Sequence, residues 1–257
     1  MQQQTIPGII GGLGPLAHIE FERLLIALNS ARGAKGDRDH PVWILINATD
    51  IPDRTQSLLG KEPSCTPGLV KYCRMLEGAG ANFVVIPCNT SHGFHDAVQS
   101  QIEIPWIHLM KTTVTFIKRR YPDCQKVGIL ATTGTLTAYL YHDSLEAAGL
   151  RAIAPLPDSQ LQQDIMNAIY HPVWGIKATG IKILAPPIKI LENALIWLET
   201  QGAELAIAGC TEISVALARF KYQNLTVVDP LEILADLTLD FAWGDRKVPE
   251  IIRESQT

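Results

Sequence analysis

The chain carries the same strand–loop–helix pattern twice. Residues 8–15 (GIIGGLGP) in the first half have a counterpart in residues 128–135 (GILATTGT) in the second half. Further along each half, a glycine leads through an apolar run to a cysteine eight residues later, Cys88 in the first and Cys210 in the second. An internal repeat of this length predicts two similar α/β lobes related by an approximate twofold axis.

Short apolar, β-branched runs alternate with longer segments of helical periodicity. The predicted strands cover residues 6–10, 42–46, 83–86, 127–130, 205–208 and 226–228. The predicted helices cover residues 17–28, 67–76, 136–148, 188–200 and 231–241. Apolar strands that alternate with helices indicate parallel sheets covered on both faces. The predicted fold class is therefore α/β, with two similar lobes, each a parallel sheet flanked by helices, and the active site in the cleft between them.

The length of 257 residues fits two lobes of roughly 110 residues each with a tail. We predict a first lobe from residues 1–115 together with 226–257, and a second lobe from residues 116–225. The boundary is placed within residues 111–126, which include the polar, turn-rich stretch KRRYPD. The last predicted helix, 231–241, is expected to cross back onto the first lobe.

Composition excludes several classes of protein. The net charge of −4 leaves no basic excess for neutralising phosphates, so nucleic acid is not an expected partner. No run approaches the roughly 18 apolar residues of a membrane span, and the N-terminal MQQQTIPGIIGGLG lacks the basic start of a signal peptide. Five cysteines without a CxxC motif indicate reduced thiols rather than a disulfide framework or a zinc site. We expect a cytoplasmic protein that binds neither membranes nor nucleic acid.

Two of the cysteines occupy matching positions in the repeat. Cys88 and Cys210 each follow an apolar strand and precede small polar residues, which places them at strand carboxyl ends, where α/β sheets bind ligands. A nearby helix N-terminus favours the thiolate there. Two thiols across a cleft suit inversion at carbon, because one removes a proton from one face while the other delivers a proton to the opposite face. Cys65, Cys73 and Cys124 are interpreted as buried apolar side chains.

Five short motifs resemble the cofactor-independent aspartate/glutamate racemase superfamily. They are GIIGGLGPLA at 8–17, IPDRT at 51–55, PCNTSH at 87–92, ATTGT at 131–135 and AGCTE at 208–212. The chain is most similar to the aspartate racemase branch, in which the second cysteine motif continues as Cys-Thr-Glu rather than Cys-Thr-His. Both cysteines are kept, whereas superfamily decarboxylases typically keep one. The resemblance implies a homodimeric racemase that needs no pyridoxal phosphate, metal or nucleotide.

The resemblance also implies which residues form the site. Cys88 and Cys210 would be the acid/base pair. Arg54 and Lys177 would bind substrate carboxylate and stabilise the enolate-like charge that builds as the Cα proton leaves. Glu212 would support the site by orienting a cysteine or binding a water. The other implied substrate-binding residues are Gly12, Leu13, Asn47, Asn89, Thr90, Thr132, Thr133, Thr135 and Thr211.

Simpler interpretations of some of these residues stay open. Arg54 could be a surface residue after a turn, and Glu212 could cap a helix N-terminus. Lys177 could be a surface lysine, with Lys182 in its place, because the surrounding residues depart from the family pattern. The prolines at 186–187 are expected to interrupt the helical region that follows.

Two other functional classes stay open as well. The loop at 12–17 matches the GxGxxA dinucleotide fingerprint, so an NAD(P)-dependent oxidoreductase is the alternative enzyme class. The acidic residue expected after the second strand is poorly placed, since Asn47 ends that run and Asp50 lies beyond it. His92 and His95 are interpreted as helix-start or supporting residues rather than metal ligands. A two-lobed binding module for small carboxylates would not require two opposed thiols.

The function expected from the sequence is racemisation of a small acidic amino acid, foremost aspartate, by opposed cysteine thiolate and thiol. Glutamate, a hydantoin or a maleate-like diacid are the alternative substrates.

Overall fold

Two parallel β-sheets organise the chain in the computed structural model, which describes residues 3–217 and 222–251. The first sheet has the order β2-β1-β3 and consists of β1 (Pro7–Gly11), β2 (Ile44–Asn47) and β3 (Phe83–Val85). The second has the order β5-β4-β6-β7 and consists of β4 (Lys126–Ala131), β5 (Arg151–Ile153), β6 (Leu205–Gly209) and β7 (Thr226–Val228). All these strand pairs are parallel. In each sheet the first strand lies between the second and the third, so the topology repeats.

Helices connect and cover the strands. In the first half they are α1 (Pro15–Ala31), α2 (Arg54–Leu58), α3 (Thr66–Gly78), α4 (His95–Gln99) and α5 (Leu109–Arg120). In the second half they are α6 (Thr133–Thr137), α7 (Leu140–Ala147), α8 (Gln160–Tyr170), α9 (Ile176–Thr179), α10 (Ala185–Thr200), α11 (Thr211–Leu217) and α12 (Pro230–Trp243). Turns of 3₁₀ helix lie at Asp37–Asp39 and Thr90–Phe94. Within the described part of the chain, no helix has the length and apolar character needed to cross a membrane.

The repeated glycines of β1 and β4 have the same packing role in both lobes. A Cβ atom on Gly8 would lie 2.9 Å from Ala81 Cβ, and a Cβ atom on Gly128 would lie 3.3 Å from Ala203 Cβ. In each case the alanine lies two residues before the third strand of that sheet. The absence of a side chain therefore allows the segment that leads into the third strand to pack closely on the first strand.

Helix α12 joins the two lobes through a shared core. It packs against α1 and α5, and its apolar residues belong to one buried cluster with residues of β1, β3, β4 and β6. Phe241 of α12 meets Phe83 of β3 edge-to-face, with ring centroids 5.4 Å apart, a favourable geometry for aromatic pairs. The last helix therefore packs on elements of the first half, although it follows the second sheet in sequence.

The predicted domain ranges stay a prediction. They include residues 1–2, 218–221 and 252–257, which lie outside the described residues. One detail differs within the described part: Thr226–Val228, assigned above to the first lobe, pairs with β6 and extends the second sheet.

The lobe boundary near residues 111–126 stays a prediction. Within it, α5 extends to Arg120, and its basic last turn suits the helix dipole; residues 121–125 then form the turn that leads into β4. One local prediction on a helix was wrong. The predicted helix 136–148 is divided into α6 and α7 by Tyr139, which has a left-handed φ of 52°. A strand, β5, and a helix, α8, were missing from the prediction.

The prolines at 186–187 begin a helix instead of interrupting one. Helix α10 starts at Ala185 and has proline in its first turn. Proline is tolerated there because the first backbone N–H groups of a helix have no partner within the helix.

Candidate active site

Cys88 and Cys210 line one small cavity from the two lobes. Cys88 follows β3 and Cys210 follows β6, which are the third strands of their sheets and have equivalent places next to the first strand. The residues lining the cavity are Leu13, Arg54, Cys88, Asn89, Thr90, Thr132, Tyr170, Lys177, Cys210, Thr211 and Glu212. The cavity volume of about 10 Å³ is on the scale of a single water molecule. An organic ligand therefore requires the cavity to widen.

Hydrogen bonds from the residues that follow it hold the backbone of Cys88. Its carbonyl oxygen accepts from Ser91 Oγ at 2.7 Å and lies 2.9 Å from His92 Nδ1. Burial, together with nearby histidines, holds the pKa of His92 well below its ordinary value, so the ring is neutral. Its Nε2 atom also faces a carbonyl oxygen, that of Ile107, at 3.4 Å. Because the Cys88 contact is the shorter of the two, the proton is assigned to Nδ1.

The two histidines considered as metal ligands point to the backbone. His92 bonds the Cys88 carbonyl, and His95 Nε2 lies 3.0 Å from the carbonyl oxygen of Trp106. Among the described residues, no group of three or more His, Cys, Asp or Glu side chains is arranged to hold a metal ion.

A buried carboxylate links Cys210 to Lys177. The thiol of Cys210 donates to Glu212 Oε2 at 3.1 Å, and the other oxygen of Glu212 forms an ion pair with Lys177 Nζ. Burial and the charge of Glu212 raise the pKa of Cys210 well above its ordinary value. Burial would also raise the pKa of Glu212, but the charge and hydrogen bond of Lys177 outweigh this effect and hold it below its ordinary value. In this state Cys210 is a thiol and Glu212 is a carboxylate.

Arg54 lies at the start of α2 on the other side of the cavity. Asp53 caps this helix by accepting a hydrogen bond from the backbone N–H of Gln56 at 2.9 Å. Burial works to lower the pKa of Arg54, but the neighbouring Cys88 sulfur and the Asp53 carboxylate raise it overall. The guanidinium donates to the carbonyl oxygen of Pro52 at 3.1 Å. Its buried Nε has no hydrogen-bond partner among the described residues.

Asn89 offers a second free donor. Its Oδ1 accepts from the hydroxyl of Tyr141 at 2.6 Å, which fixes the orientation of the amide. Burial raises the pKa of Tyr141, so the phenol keeps its proton and remains the donor. The buried Nδ2 of Asn89 lacks a partner within the described residues.

Three threonine hydroxyls join the two lobes beside the cysteines. Thr90 from the first lobe lies 3.0 Å from both Thr132 and Thr135 of the second, and these two are 3.1 Å apart. Thr132 also caps α6 by accepting from the backbone N–H of Thr135. Of these three threonines, Thr90 and Thr132 line the cavity and Thr135 does not.

Several predicted site residues lie outside the cavity wall. Asn47 is exposed at the end of β2, and the N–H of Gly12 donates to His18 Nδ1 at 3.1 Å. Thr133 is held by the side chain of Gln162. The exposed Lys182 is absent from the wall, whereas Lys177 belongs to it. The roles assigned to all these residues stay predictions.

Tyr170 lines the cavity, although it is not among the site residues predicted from the sequence. It ends α8, and the Nζ atom of Lys177 lies 5.3 Å from the centre of its ring. The signal for this helix was present, because Ser159 stands three residues before Gln162, and a Ser-x-x-Gln pattern is a typical helix start. The Ser159 hydroxyl does accept from the backbone N–H of Gln162 at 3.2 Å.

Gly14 holds the loop after β1 against Lys177 and Glu212. Its φ is +83°, and a Cβ atom there would overlap Glu212 Oε1 and lie 3.0 Å from Lys177 Nζ.

We expect Gly14→Ala to displace the ion pair and to destabilise the fold by about 1–3 kcal/mol. Gly80→Ala is the matched control, because Gly80 has a φ of +95° with no heavy atom within 4 Å of the added Cβ. Urea unfolding and an activity assay should show that both variants lose stability but only Gly14→Ala loses most activity; equal activity in the two would contradict this role for Gly14.

Comparison with known protein families gives a match over most of the chain. Residues 10–238 match the family model described as Asp/Glu/Hydantoin racemase. The chain is 24% identical over 236 residues to the broad specificity amino-acid racemase RacX of Bacillus subtilis (strain 168), a match that covers 90% of this chain and 96% of that protein.

The chain is also similar to solved structures of racemases. The chain is similar to the aspartate racemase of Picrophilus torridus with a TM-score of 0.77 and 24% identity, covering 94% of this chain and 95% of that one. It is also similar to the glutamate racemase of Francisella tularensis subsp. tularensis SCHU S4 in complex with D-glutamate, with a TM-score of 0.65 and 16% identity over 96% of this chain and 86% of that one. These likenesses confirm the two-lobed α/β fold that the repeat predicted.

Proposed function

Because the chain belongs to the Asp/Glu/hydantoin racemase family, we propose that it racemises an acidic amino acid, foremost aspartate, with Cys88 and Cys210 as the two bases. The observation that carries this proposal is that the two cysteines line one cavity from equivalent strand ends of the two lobes. The same wall includes the two cations Arg54 and Lys177, which suits a substrate with more than one carboxylate.

In the proposed reaction, the cysteines exchange a proton with Cα on opposite faces. One thiolate takes the Cα proton and becomes a thiol, and the electron pair left on Cα delocalises into the adjoining carboxylate. The opposing thiol then gives its proton to the other face of Cα and becomes a thiolate. The amino acid is inverted and no atom is gained or lost overall, so the reverse reaction uses the same groups in exchanged roles.

The cavity wall offers groups to bind the substrate and to stabilise the developing charge. Arg54 has an unpartnered Nε, and Asn89 has an unpartnered Nδ2, so both can donate to carboxylate oxygens. A fixed cation beside the carboxylate that receives the electron pair lowers the energy of the transition state more than that of the bound substrate. The resemblance also implies a homodimer, which stays a prediction.

The packing around the loop 12–17 argues against the alternative function, an NAD(P)-dependent oxidoreductase. In a dinucleotide-binding protein this loop approaches a pyrophosphate group. Here Gly14 packs against the ion pair of Glu212 and Lys177 of the opposite lobe, which fills the space where a phosphate would have to lie. Titration with NAD followed by tryptophan fluorescence tests this alternative, and we expect no saturable change.

The experiment that tests the proposal is incubation with L- or D-aspartate in heavy water without added cofactor. We expect loss of the Cα–H signal in NMR spectra and formation of the opposite enantiomer in chiral chromatography. Because the similar protein from Bacillus subtilis is a broad specificity amino-acid racemase, parallel incubations should include glutamate, alanine, lysine, a hydantoin and maleate. Turnover of another substrate alone would correct the substrate, whereas no exchange or inversion with any of them would end the racemase proposal.

A further inference from the structure

We propose that a groove beside the turn that follows Cys88 binds a free amino acid as an effector. In this groove Lys111 pairs with the carboxylate of the ligand, Asp143 pairs with its ammonium group, and an apolar wall holds an aliphatic side chain. Among the described residues, none lines both this groove and the cavity that contains the two cysteines. Binding in the groove is independent of the proposed racemase function, whereas the effect on activity rests on it.

The groove lies between elements of the two halves of the chain. One wall is formed by the 3₁₀ turn after Cys88 together with α4 and α5, and the other wall is formed by α7. The groove has a volume of about 740 Å³, which is within the range of small-molecule sites. It can therefore admit an organic ligand without the widening that the cavity between the cysteines requires.

The groove holds an unpaired charge of each sign. Lys111 on α5 and Asp143 on α7 both line it, and within the described part of the chain neither takes part in an ion pair. Asp96, the other carboxylate in the groove, already lies 3.0 Å from His95 Nδ1. A zwitterion placed between α5 and α7 gives both unpaired groups a partner, whereas an ion with a single charge satisfies only one. An α-amino acid is the smallest common ligand with this pair of charges.

His108 adds a hydrogen-bond donor on the same wall as Lys111. Burial, together with the charges of His95 and Lys111, lowers the pKa of His108 to about 3, so the ring is neutral near pH 7. Its Nδ1 accepts from the backbone N–H of Lys111 at 3.5 Å and caps α5, which leaves the proton on Nε2. The Nε2–H group can therefore donate to the ligand carboxylate that Lys111 pairs with.

The remaining wall of the groove is apolar. Val114 of α5 and Leu140, Ala147 and Ala148 of α7 line it. Such a wall suits an aliphatic ligand side chain, because burying it removes apolar surface from water. Among the described residues that line the groove, Lys111 is the one Lys or Arg side chain, so a second carboxylate would find no such partner. The groove therefore favours an amino acid such as leucine over aspartate.

Two hydrogen bonds connect the walls of the groove to the cavity. On one wall, His92 lines the groove and holds the carbonyl oxygen of Cys88. On the other wall, α7 carries Tyr141, whose hydroxyl donates to Asn89 in the cavity. A ligand that pairs with both α5 and α7 ties these two walls together. It opposes the widening that substrate entry requires, so we expect it to raise KM for aspartate.

The binding test uses leucine as the probe and isothermal titration calorimetry as the measurement. We expect saturable binding of leucine. Leucinamide lacks the carboxylate and 4-methylpentanoate lacks the ammonium group, so each should bind about tenfold more weakly. Lys111→Met and Asp143→Asn should each weaken leucine binding by a similar factor.

Combining the variants with the ligand analogues identifies which charge pairs with which. In Lys111→Met, leucine and leucinamide should bind equally well, because the carboxylate has already lost its partner. In Asp143→Asn, leucine and 4-methylpentanoate should bind equally well for the same reason. A decrease caused by only one of the two substitutions would overturn the assignment of a zwitterion.

Lys118→Met and Glu146→Gln are the matched controls, because both residues are exposed on the same two helices but do not line the groove. They should leave leucine binding unchanged. The proposal is overturned if neither leucine, alanine, valine nor phenylalanine binds saturably. It is also overturned if leucine binding is lost in Arg54→Met but kept in Lys111→Met, since leucine would then occupy the cavity between the cysteines.

The effect on activity is measured as KM for aspartate at increasing leucine concentration. We expect KM to rise to a plateau about tenfold above its starting value, because ligands at two separate sites change each other's affinity by a fixed factor. Lys111→Met should lower this response. A KM that rises without limit would indicate competition inside the cavity, and an unchanged KM despite binding would refute the coupling. A wild-type protein that binds leucine through Lys111 and Asp143 but has no racemase activity would refute the proposed function and leave the groove assignment intact.

Discussion

Cys88→Ser and Cys210→Ser are each expected to lower racemisation by at least about 1000-fold, because a serine hydroxyl is far too weak an acid to supply either the base or the proton donor near neutral pH. Both side chains are buried, and serine is close to cysteine in size, so the fold should persist. Chiral chromatography of aspartate incubations measures the loss, and circular dichroism checks the fold.

The single variants should also separate the two faces of the substrate. With one thiol left, the remaining cysteine can remove a Cα proton and return deuterium to the same face, which exchanges one enantiomer without inverting it. Cys88→Ser and Cys210→Ser should therefore exchange opposite enantiomers in heavy water. The control is Cys124→Ser, because Cys124 is buried outside the cavity, with its thiol 3.8 Å from the carbonyl oxygen of Lys126. If either site variant kept most of its racemase activity, the two-base scheme would be wrong.

Arg54→Met is expected to lower kcat/KM for aspartate by about 1000-fold, which corresponds to about 4 kcal/mol. The substitution removes the unpartnered Nε–H group that could donate to a substrate carboxylate. It also removes the positive charge beside Cys88. Arg54→Lys keeps the charge but loses the planar fork that binds a carboxylate with two hydrogen bonds. We expect it to recover only part of the loss, with a raised KM.

Steady-state kinetics and calorimetric titration with aspartate measure these effects. Arg74→Met is the matched control, since Arg74 also donates to a backbone carbonyl oxygen, that of Gln101, but lies at the exposed surface of α3. Activity close to wild type in Arg54→Met would place the substrate carboxylates elsewhere in the cavity.

The sequence was enough to predict the fold, and its short motifs were enough to propose the chemistry. Cys88 and Cys210 stood out because cysteine is scarce and the two occur at matching points of a repeat. A strand carboxyl end positions its first loop residues in any α/β sheet, so their location follows from the topology. Arg54 was predicted from the IPDRT motif alone, and it lies at the start of a helix that Asp53 caps.

Contacts between distant segments could not be predicted in this way. The ion pair of Lys177 with Glu212 joins α9 to α11, and nothing local in either segment indicates the other. The break at Tyr139 requires a left-handed φ in a residue other than glycine, which tertiary packing has to enforce. Tyr170 is different, since its helix carried a readable start signal that was overlooked.

The two cysteines have unequal neighbours, with Arg54 near Cys88 and the Glu212–Lys177 pair next to Cys210. Mirror-image amino acids have the same free energy in water, so the equilibrium constant of a racemisation is one. The ratio of kcat/KM in the two directions must then also equal one, however different the surroundings of the two cysteines are. The unequal neighbours of the two cysteines can therefore change kcat and KM only together. The enantiomer with the lower KM has a kcat that is lower by the same factor. Every substitution in this cavity obeys the same constraint, and a measured violation would reveal an error in the assay rather than a property of the protein.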